Sequence, residues 1–403
     1  MFSEKSVKAG VTFPKGFVAA GVKAGIKKSG NLDLALIYTQ TKAAVAGVFT
    51  QNQVAAAPVV VSQEVVATGT AHAVLANAGC ANACTGEVGL ANARQMAELA
   101  AAELGCNWDD VIVGSTGIIG VNLPMDKIAA GVKAVKAELS TSGSPNAGNA
   151  IITTDTYSKA CTLEVEIGGK AVRFGAIAKG SGMINPNMAT MLCYITTDCA
   201  IEQKLLPKAL SEITEKTFNM ISVDGDMSTN DTVIVLANGL AENQLINSES
   251  EDYRKFYEAL HTICRELAKK IAADGEGATK FLTVNVENTK TWEDAKTIGM
   301  SIAKSPLVKT AFFGEDPNWG RVICAVGYAG VPMLPEKTTI SFGDVVVYQN
   351  GLAATYDEAA LRKTMAEHDI VITVDMNLGT ESATVWTCDF SYEYVKINGE
   401  YHT

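Results

Sequence analysis

"KGSGMINPNMATML" (Lys179–Leu192) sets two glycines, an Asn-Pro step and a threonine directly in front of an apolar run. That run, "TMLCYITTD" (Thr190–Asp198), is apolar on both faces. A strand of this kind must be covered on both sides, so it belongs in the middle of a sheet. Upstream, Cys161, Leu163, Val165 and Ile167 alternate with Thr162, Glu164 and Glu166. Gly168-Gly169 makes a two-residue turn, and Val172 to Ala178 returns as the second arm of a hairpin. A turn-rich segment therefore separates a hairpin from a central strand.

Further out, strands and helices alternate. "NLDLALIYTQ" (Asn31–Gln40) and "AHAVLANAG" (Ala71–Gly79) read as strands. "GLANARQMAELAAAELG" reads as a helix with Leu90, Ala93, Met96, Ala97, Ala100 and Leu104 on one face and Gly105 as its stop. "DVIVGSTGIIG" reads as a short strand entering a glycine-rich turn at Gly114. "LLPKALSEITEKTFNM" and "DYRKFYEALHTICRELAKKIAAD" read as helices; in the second, Phe256, Leu260, Ile263, Leu267 and Ile271 keep a period near 3.6, and Gly275 and Gly277 end it. From about Lys280, strands ("FLTVNVE", "TTISFG", "IVITVDM", "SATVWTCDFSYEYVKIN") mix with helices ("TWEDAKTIGMSIAKS", "YDEAALRKTMAEHD"). The mixture predicts a layered α/β or α+β fold, with a smaller C-terminal lobe from about residue 280.

The chain has 403 residues, 47% of them hydrophobic and 19% charged, a composition that forms cores. A net charge of -11 disfavours nucleic acid and anionic membrane surfaces as partners. The start lacks the apolar core of a secretory signal, and no run of about 18 apolar residues reads as a membrane span. The nine scattered cysteines fit a reducing cytoplasm. Cys80 and Cys84 have no second half of a zinc site and read as small buried residues. The four histidines have no metal spacing, so no metal is expected.

Thr190 is the sharpest candidate for chemistry. A threonine hydroxyl is a poor nucleophile without a base, and no histidine is near it in sequence. Cleavage of the Ala189-Thr190 bond would give it a free α-amine, whose ordinary pKa of about 7.7–8.0 suits a base at cellular pH. The plain alternative is that Thr190 opens a strand, where threonine is favoured, and spacing alone favours that. "GSTGIIG" (Gly114–Gly120) either presents backbone N–H groups to an oxyanion or is a plain turn. "SVDGDMSTND" resembles a calcium loop at Asp224 and Asp226 but lacks its glycine and closing glutamate. Glu276, between two glycines, is a solvated cap or a ligand for a substrate amine; Lys179 is solvated, faces a carboxylate, or lowers the pKa of the neighbouring amine by like-charge repulsion.

These blocks together resemble one family. "GVTFPKGFVAAGVKAGIK", "VLANAGCANACTG", "GSTGIIG", "KGSGMINPNMATML", "SVDGDMSTNDT", "FFGEDPNWGR" and "DFSYEYVKINGEYHT" look, in this order, like glutamate N-acetyltransferase, also called ornithine acetyltransferase, of arginine biosynthesis. The resemblance implies a layered α-β-β-α sandwich similar to N-terminal-nucleophile hydrolases with different connectivity. It implies self-cleavage between Ala189 and Thr190 into an α chain (1–189) and a β chain (190–403). It implies Thr190 as nucleophile, Thr116 and Gly117 as the oxyanion hole, and Thr153, Lys179, Thr190, Glu276, Asn398 and Thr403 as substrate contacts. The implied reaction moves acetyl from N2-acetyl-L-ornithine to L-glutamate through an acetyl-threonine ester. No cofactor is needed, and acetyl-CoA is a second donor in some members. The implied assembly is a cytoplasmic heterotetramer of two α and two β chains. Two other readings stand beside it: an N-terminal-threonine aminopeptidase or amidase, and an uncleaved amino-acid-binding protein.

Overall fold

The structure, a computed structural model, describes residues 9–185 and 191–400. In chain order the elements are β1 (Phe17–Val22), β2 (Leu34–Phe49), α1 (Ala57–Ala67), β3 (Thr70–Cys80), α2 (Gly86–Leu104), β4 (Val111–Ile118), α3 (Met125–Ala137), α4 (Ser144–Ile151), β5 (Lys159–Ile167) and β6 (Lys170–Lys179). Then come β7 (Leu192–Thr197), α5 (Leu206–Lys216), β8 (Ile221–Ser222), β9 (Thr232–Ala237), α6 (Glu251–Ala273), β10 (Phe281–Thr289), α7 (Trp292–Lys304), α8 (Pro306–Phe313) and α9 (Trp319–Gly327). The last are β11 (Thr339–Phe342), β12 (Val345–Gln349), β13 (Leu352–Ala353), α10 (Glu358–Ala366), β14 (Asp369–Asp375), β15 (Glu381–Cys388) and α11 (Tyr392–Glu400).

The strands form two sheets, so the fold is mixed α/β and layered. The first runs β4-β3-β2-β9-β7-β6-β5, with β1 also paired to β2. The second runs β13-β12-β11-β14-β10-β15-β8. β7 lies inside the first sheet, antiparallel to β6 and parallel to β9, and all six of its residues are buried. Its two faces feed different cores: Leu192 and Tyr194 pack with Ile234 and Leu236, while Cys193 and Ile195 pack with Val233 and Val235 and with residues of α5 and α6. That two-sided burial is what the unbroken apolar run dictates. The β5–β6 hairpin turns at Gly168-Gly169, both with positive φ, as a two-residue turn of this hand requires.

Helix α6 starts at Ser250, whose side chain accepts a hydrogen bond from the Tyr253 amide, with Glu251 and Asp252 in its first turn. Its buried stripe includes Phe256, Leu260, Ile263, Leu267 and Ile271, as the periodicity predicts. The helix lies against β5 and β6 of the first sheet and β15 of the second, which ties the two sheets together. Among the described residues no helix is long and apolar enough to cross a membrane.

Some expectations need correction. Leu90 is exposed, because the buried stripe of α2 runs instead through Gly89, Ala93, Met96, Ala97 and Ala100. Cys84 is exposed, on a turn with φ of 56°, although Cys80 is buried. The strand β4 continues through Gly114 to Ile118 instead of turning there. Gly114 is needed within it: a Cβ would sit 2.0 Å from the Tyr194 hydroxyl. The stretch from Ser382 to Asn398 is not one strand: β15 ends at Cys388, and α11 begins at Tyr392. Helices α1, α3, α4, α8 and α9 were not read from the sequence.

Candidate active site

Strands β3 and β4 run parallel and end together. Their ends are pinned by buried amides. Asn230 Nδ2 donates to the carbonyls of Ala81 (2.7 Å) and Ser115 (2.9 Å), and Asn77 accepts from the Ser115 hydroxyl at 2.6 Å. Thr116 and Gly117 follow Ser115 at this pinned edge. Gly117 has φ of 131°, and a Cβ there would meet the Gly79 and Cys80 backbone at 2.5–2.8 Å. Only glycine lets the backbone approach this closely.

Lys179 is the last residue of β6 and is 2% exposed. Its ammonium donates to the Thr153 hydroxyl at 2.9 Å and the Thr116 hydroxyl at 3.5 Å. Burial lowers its pKa, while Asp155 raises it in opposition. Because Thr116 Oγ1 accepts from Lys179, its own proton is free to be donated into the cavity. Thr153 lies two residues beyond α4.

Asp155 holds the floor of the site. It receives the Lys159 ammonium at 2.6 Å and the Gly180 amide at 2.7 Å, and Lys179 lies 3.8 Å away. Burial pushes its carboxyl up, but the ammonium groups of Lys179 and Lys159 outweigh that and hold it down at about 2. Lys159 also contacts Asp274 at 2.5 Å, at the end of α6.

Glu276 follows two residues later and is 8% exposed. Asn398 Nδ2, on α11, donates to its carboxylate at 2.7 Å. Gly182 faces it, and a Cβ there would lie 2.3–2.4 Å from the carboxylate. Glu276 is thus not a solvated cap, and Lys179 is not a solvated lysine.

One cavity of about 130 Å³ is lined by Thr116, Gly117, Thr153, Lys179, Glu276 and Asn398 together with Asn230 and neighbours. Six of the predicted site residues therefore converge on one space. Ala189, Thr190 and Thr403 lie outside the described residues. Asp224, the calcium-like position, instead accepts the amides of Met183 (2.6 Å) and Ile184 (2.9 Å) and so tethers the segment after Lys179. Sequence reasoning missed Asp155, Lys159, Asp274 and Asn230. Asp155 and Lys159 are four residues apart but not on a helix, so no periodicity marks them.

A two-sheet α/β protein thus brings a buried lysine, held by two threonine hydroxyls, and a carboxylate to one small cavity. Residues 18–403 match the ArgJ family, and the chain belongs to that family. It is 50% identical to the arginine biosynthesis bifunctional protein ArgJ of Symbiobacterium thermophilum, over 98% of this chain and 98% of that protein. It is 46% identical to the protein of the same name from Listeria monocytogenes serovar 1/2a, over 98% of this chain and 99% of that protein. The crystal structure of arginine biosynthesis bifunctional protein ArgJ from Bacillus halodurans is 42% identical; the match covers 52% of this chain and 98% of that chain, with a TM-score of 0.50. The family read from the sequence blocks is the family these matches give.

Proposed function

We propose that the protein is a self-cleaving acetyltransferase that moves acetyl from N2-acetyl-L-ornithine to L-glutamate. The observation that carries this reading is the buried Lys179 ammonium between the hydroxyls of Thr153 and Thr116, in the cavity that Glu276 also lines. Such a cavity offers one group of each sign to an amino-acid substrate and a hydroxyl and a backbone edge to an oxyanion.

In this reading the chain is cut between Ala189 and Thr190, leaving an α chain of 1–189 and a β chain of 190–403. The Bacillus halodurans chain supports it, because a match covering nearly all of that chain spans only 52% of this one. Thr190 Oγ attacks the acetyl carbonyl, and its own α-amine takes the proton. Thr116, through its hydroxyl, and Gly117, through its N–H, stabilise the tetrahedral oxyanion, each worth about 3–4 kcal/mol in comparable sites. Ornithine departs with the proton from the amine, leaving an acetyl ester on Thr190. The amine of glutamate then attacks the ester, and N-acetylglutamate leaves. Thr153, Lys179, Glu276, Asn398 and Thr403 hold the substrates. One amide is exchanged for another, so no cofactor enters, and acetyl-CoA serves as a second donor in keeping with the bifunctional names of the relatives. The two chains remain together as two α and two β chains in the cytoplasm.

The test is the denatured mass of purified protein, followed by the acetyl-transfer assay. Two polypeptides, one starting at Thr190, and acetyl transfer that is lost in Thr190→Ala, are expected. A single full-length species from active protein overturns the amine mechanism. Acetate release that does not need glutamate points instead to an amidase.

A further inference from the structure

Ser181 carries a buried hydroxyl that the chemistry above does not use. It follows the end of β6 by two residues and is 0% exposed. Its hydroxyl donates to the Asp274 carbonyl at 2.7 Å, and its carbonyl accepts the Glu276 amide at 3.1 Å. The two bonds straddle Gly275, so one residue grips the chain on both sides of the step that leads to Glu276. Ser181 is itself held. The Gly180 amide before it donates to Asp155 at 2.7 Å, and the Met183 and Ile184 amides after it donate to Asp224 at 2.6 and 2.9 Å. Across the clamp, the Asp274 carboxylate is fixed by the Lys159 ammonium at 2.5 Å and the Thr156 amide at 3.1 Å.

Glu276 needs such a grip. It lies beyond the end of α6, between Gly275 and Gly277, and glycine has the greatest backbone freedom of any residue. The helical bonds of α6 end with the Asp274 amide, which donates to the Lys270 carbonyl at 3.1 Å. The Glu276 amide finds its acceptor on Ser181 instead. At the far end of the side chain, Asn398 Nδ2 donates to the carboxylate at 2.7 Å, but Asn398 stands on α11, none of whose residues is buried. The firm support of Glu276 is therefore the clamp on its backbone.

We propose that Ser181 is a positioning residue for Glu276: its hydroxyl and carbonyl together fix the turn from Asp274 to Glu276, so that the carboxylate faces the cavity and meets the cationic group of an amino-acid substrate. This role rests on the acetyltransferase reading above. In that reading Ser181 belongs to the α chain and Asp274 and Glu276 to the β chain, so the clamp joins the two chains across the cut. Its effect falls on binding. Among the described residues Ser181 makes no hydrogen bond to Thr116 or Gly117, the groups that stabilise the oxyanion, so the acyl-transfer step itself is left almost unchanged. A substrate contact held loosely costs affinity, because binding must then also order the contact.

The experiment compares wild type with Ser181→Ala, Glu276→Gln and the double variant. Each is followed for the fraction cleaved, by intact mass, for L-ornithine affinity, by calorimetry, and for kcat and KM with N2-acetyl-L-ornithine. Ser181→Ala is expected to cleave, to weaken ornithine binding and raise KM about tenfold, the worth of one hydrogen bond, and to keep kcat within about threefold. Because Ser181 acts through Glu276, the two losses are coupled: in the Glu276→Gln background the alanine is expected to weaken binding by less than about threefold more. Losses that multiply in the double variant overturn the proposal, since a merely structural serine would weaken both backgrounds alike. A Ser181→Ala protein with wild-type affinity, one that falls in kcat with KM unchanged, or one that no longer cleaves also overturns it. Should alanine not fold, Ser181→Cys decides: it keeps the size with a weaker donor, and an affinity equal to wild type overturns the clamp. Wild type that neither cleaves nor transfers acetyl sinks the acetyltransferase reading and this role with it; active wild type with an unchanged Ser181→Ala sinks this role alone.

Discussion

Asp155 receives the Lys159 ammonium at 2.6 Å with both side chains wholly withdrawn from water. The same carboxylate faces Lys179 at 3.8 Å and the Gly180 amide at 2.7 Å, so it joins the floor of the fold to the cavity lysine. Removing one partner of a buried pair leaves the other charge uncompensated, at a cost of about 3–5 kcal/mol. Asp155→Asn is therefore expected to lower unfolding stability by that amount in a denaturant titration. A loss below about 1 kcal/mol would show that Asp274, the other partner of Lys159, carries the pair alone.

The same group sets an acid dependence. Its folded pKa, about 2, lies below its ordinary value of 3.8. A depressed carboxylate pKa contributes stability that is complete above the unfolded value and lost as pH falls through the folded one. The contribution is about 2 kcal/mol and disappears between about pH 4 and pH 2. Wild type should lose this increment on acidification and Asp155→Asn should not, as read by unfolding titrations at pH 5 and pH 2.5. Parallel losses in the two proteins would assign acid sensitivity elsewhere.

Two glycines in the site should respond differently to alanine. At Gly182 the obstacle is the Glu276 carboxylate, 2.3–2.4 Å from the new Cβ, which is the end of a flexible side chain. Glu276 can swing away, so Gly182→Ala should fold with a Tm close to wild type. It should lose the Asn398 contact and raise substrate KM roughly tenfold, the worth of a charged hydrogen bond. At Gly117 the obstacle is the backbone of Gly79 and Cys80, and φ is 131°. Nothing there can give cheaply, so Gly117→Ala should lower Tm as well as activity. Tm and KM measured on both variants separate the cases; a Gly182→Ala protein as unstable as Gly117→Ala would contradict the argument.

What the sequence made legible follows the physics of each element. The hairpin at Gly168-Gly169, the two-sided strand β7 and the long stripe of α6 each carry a dense local pattern, and each stands where that pattern puts it. Cys84 and Leu90 were misplaced because apolar character alone does not say which way a residue at a turn or a helix end points. Within the site, the residues themselves offered GSTGIIG, Lys179 and Glu276 only as alternatives to a plain turn or a solvated side chain, and Thr153 and Asn398 came from the resemblance alone, since these positions lie far apart in the chain and meet through the sheet. Asp155, Lys159, Asp274 and Asn230 stayed hidden for the same reason. Their partners come from other elements, and a buried carboxyl looks in sequence like a surface one.

Lys179 should separate stability from function. Its ammonium is buried, burial lowers its pKa, and its distance to Asp155 is 3.8 Å, longer than the 2.6 Å contact that Lys159 makes. Burying a charge is costly in itself, which offsets part of what is lost when one member of a buried pair is replaced by an apolar residue. Asp155 keeps Lys159 as its partner. Lys179→Met should therefore lose less than the about 3–5 kcal/mol that stripping a buried charge of every partner costs. Activity should not survive as well, because the hydroxyls of Thr116 and Thr153 lose their shared donor and the cavity loses its buried cation. Loss of a donor that orients an oxyanion-stabilising group costs on the order of 10²-fold or more in kcat/KM. Unfolding titrations and acetyl-transfer kinetics on the same preparation decide the matter. A stable variant with kcat/KM within threefold of wild type would remove Lys179 from the chemistry, and an unstable one would make it part of the fold.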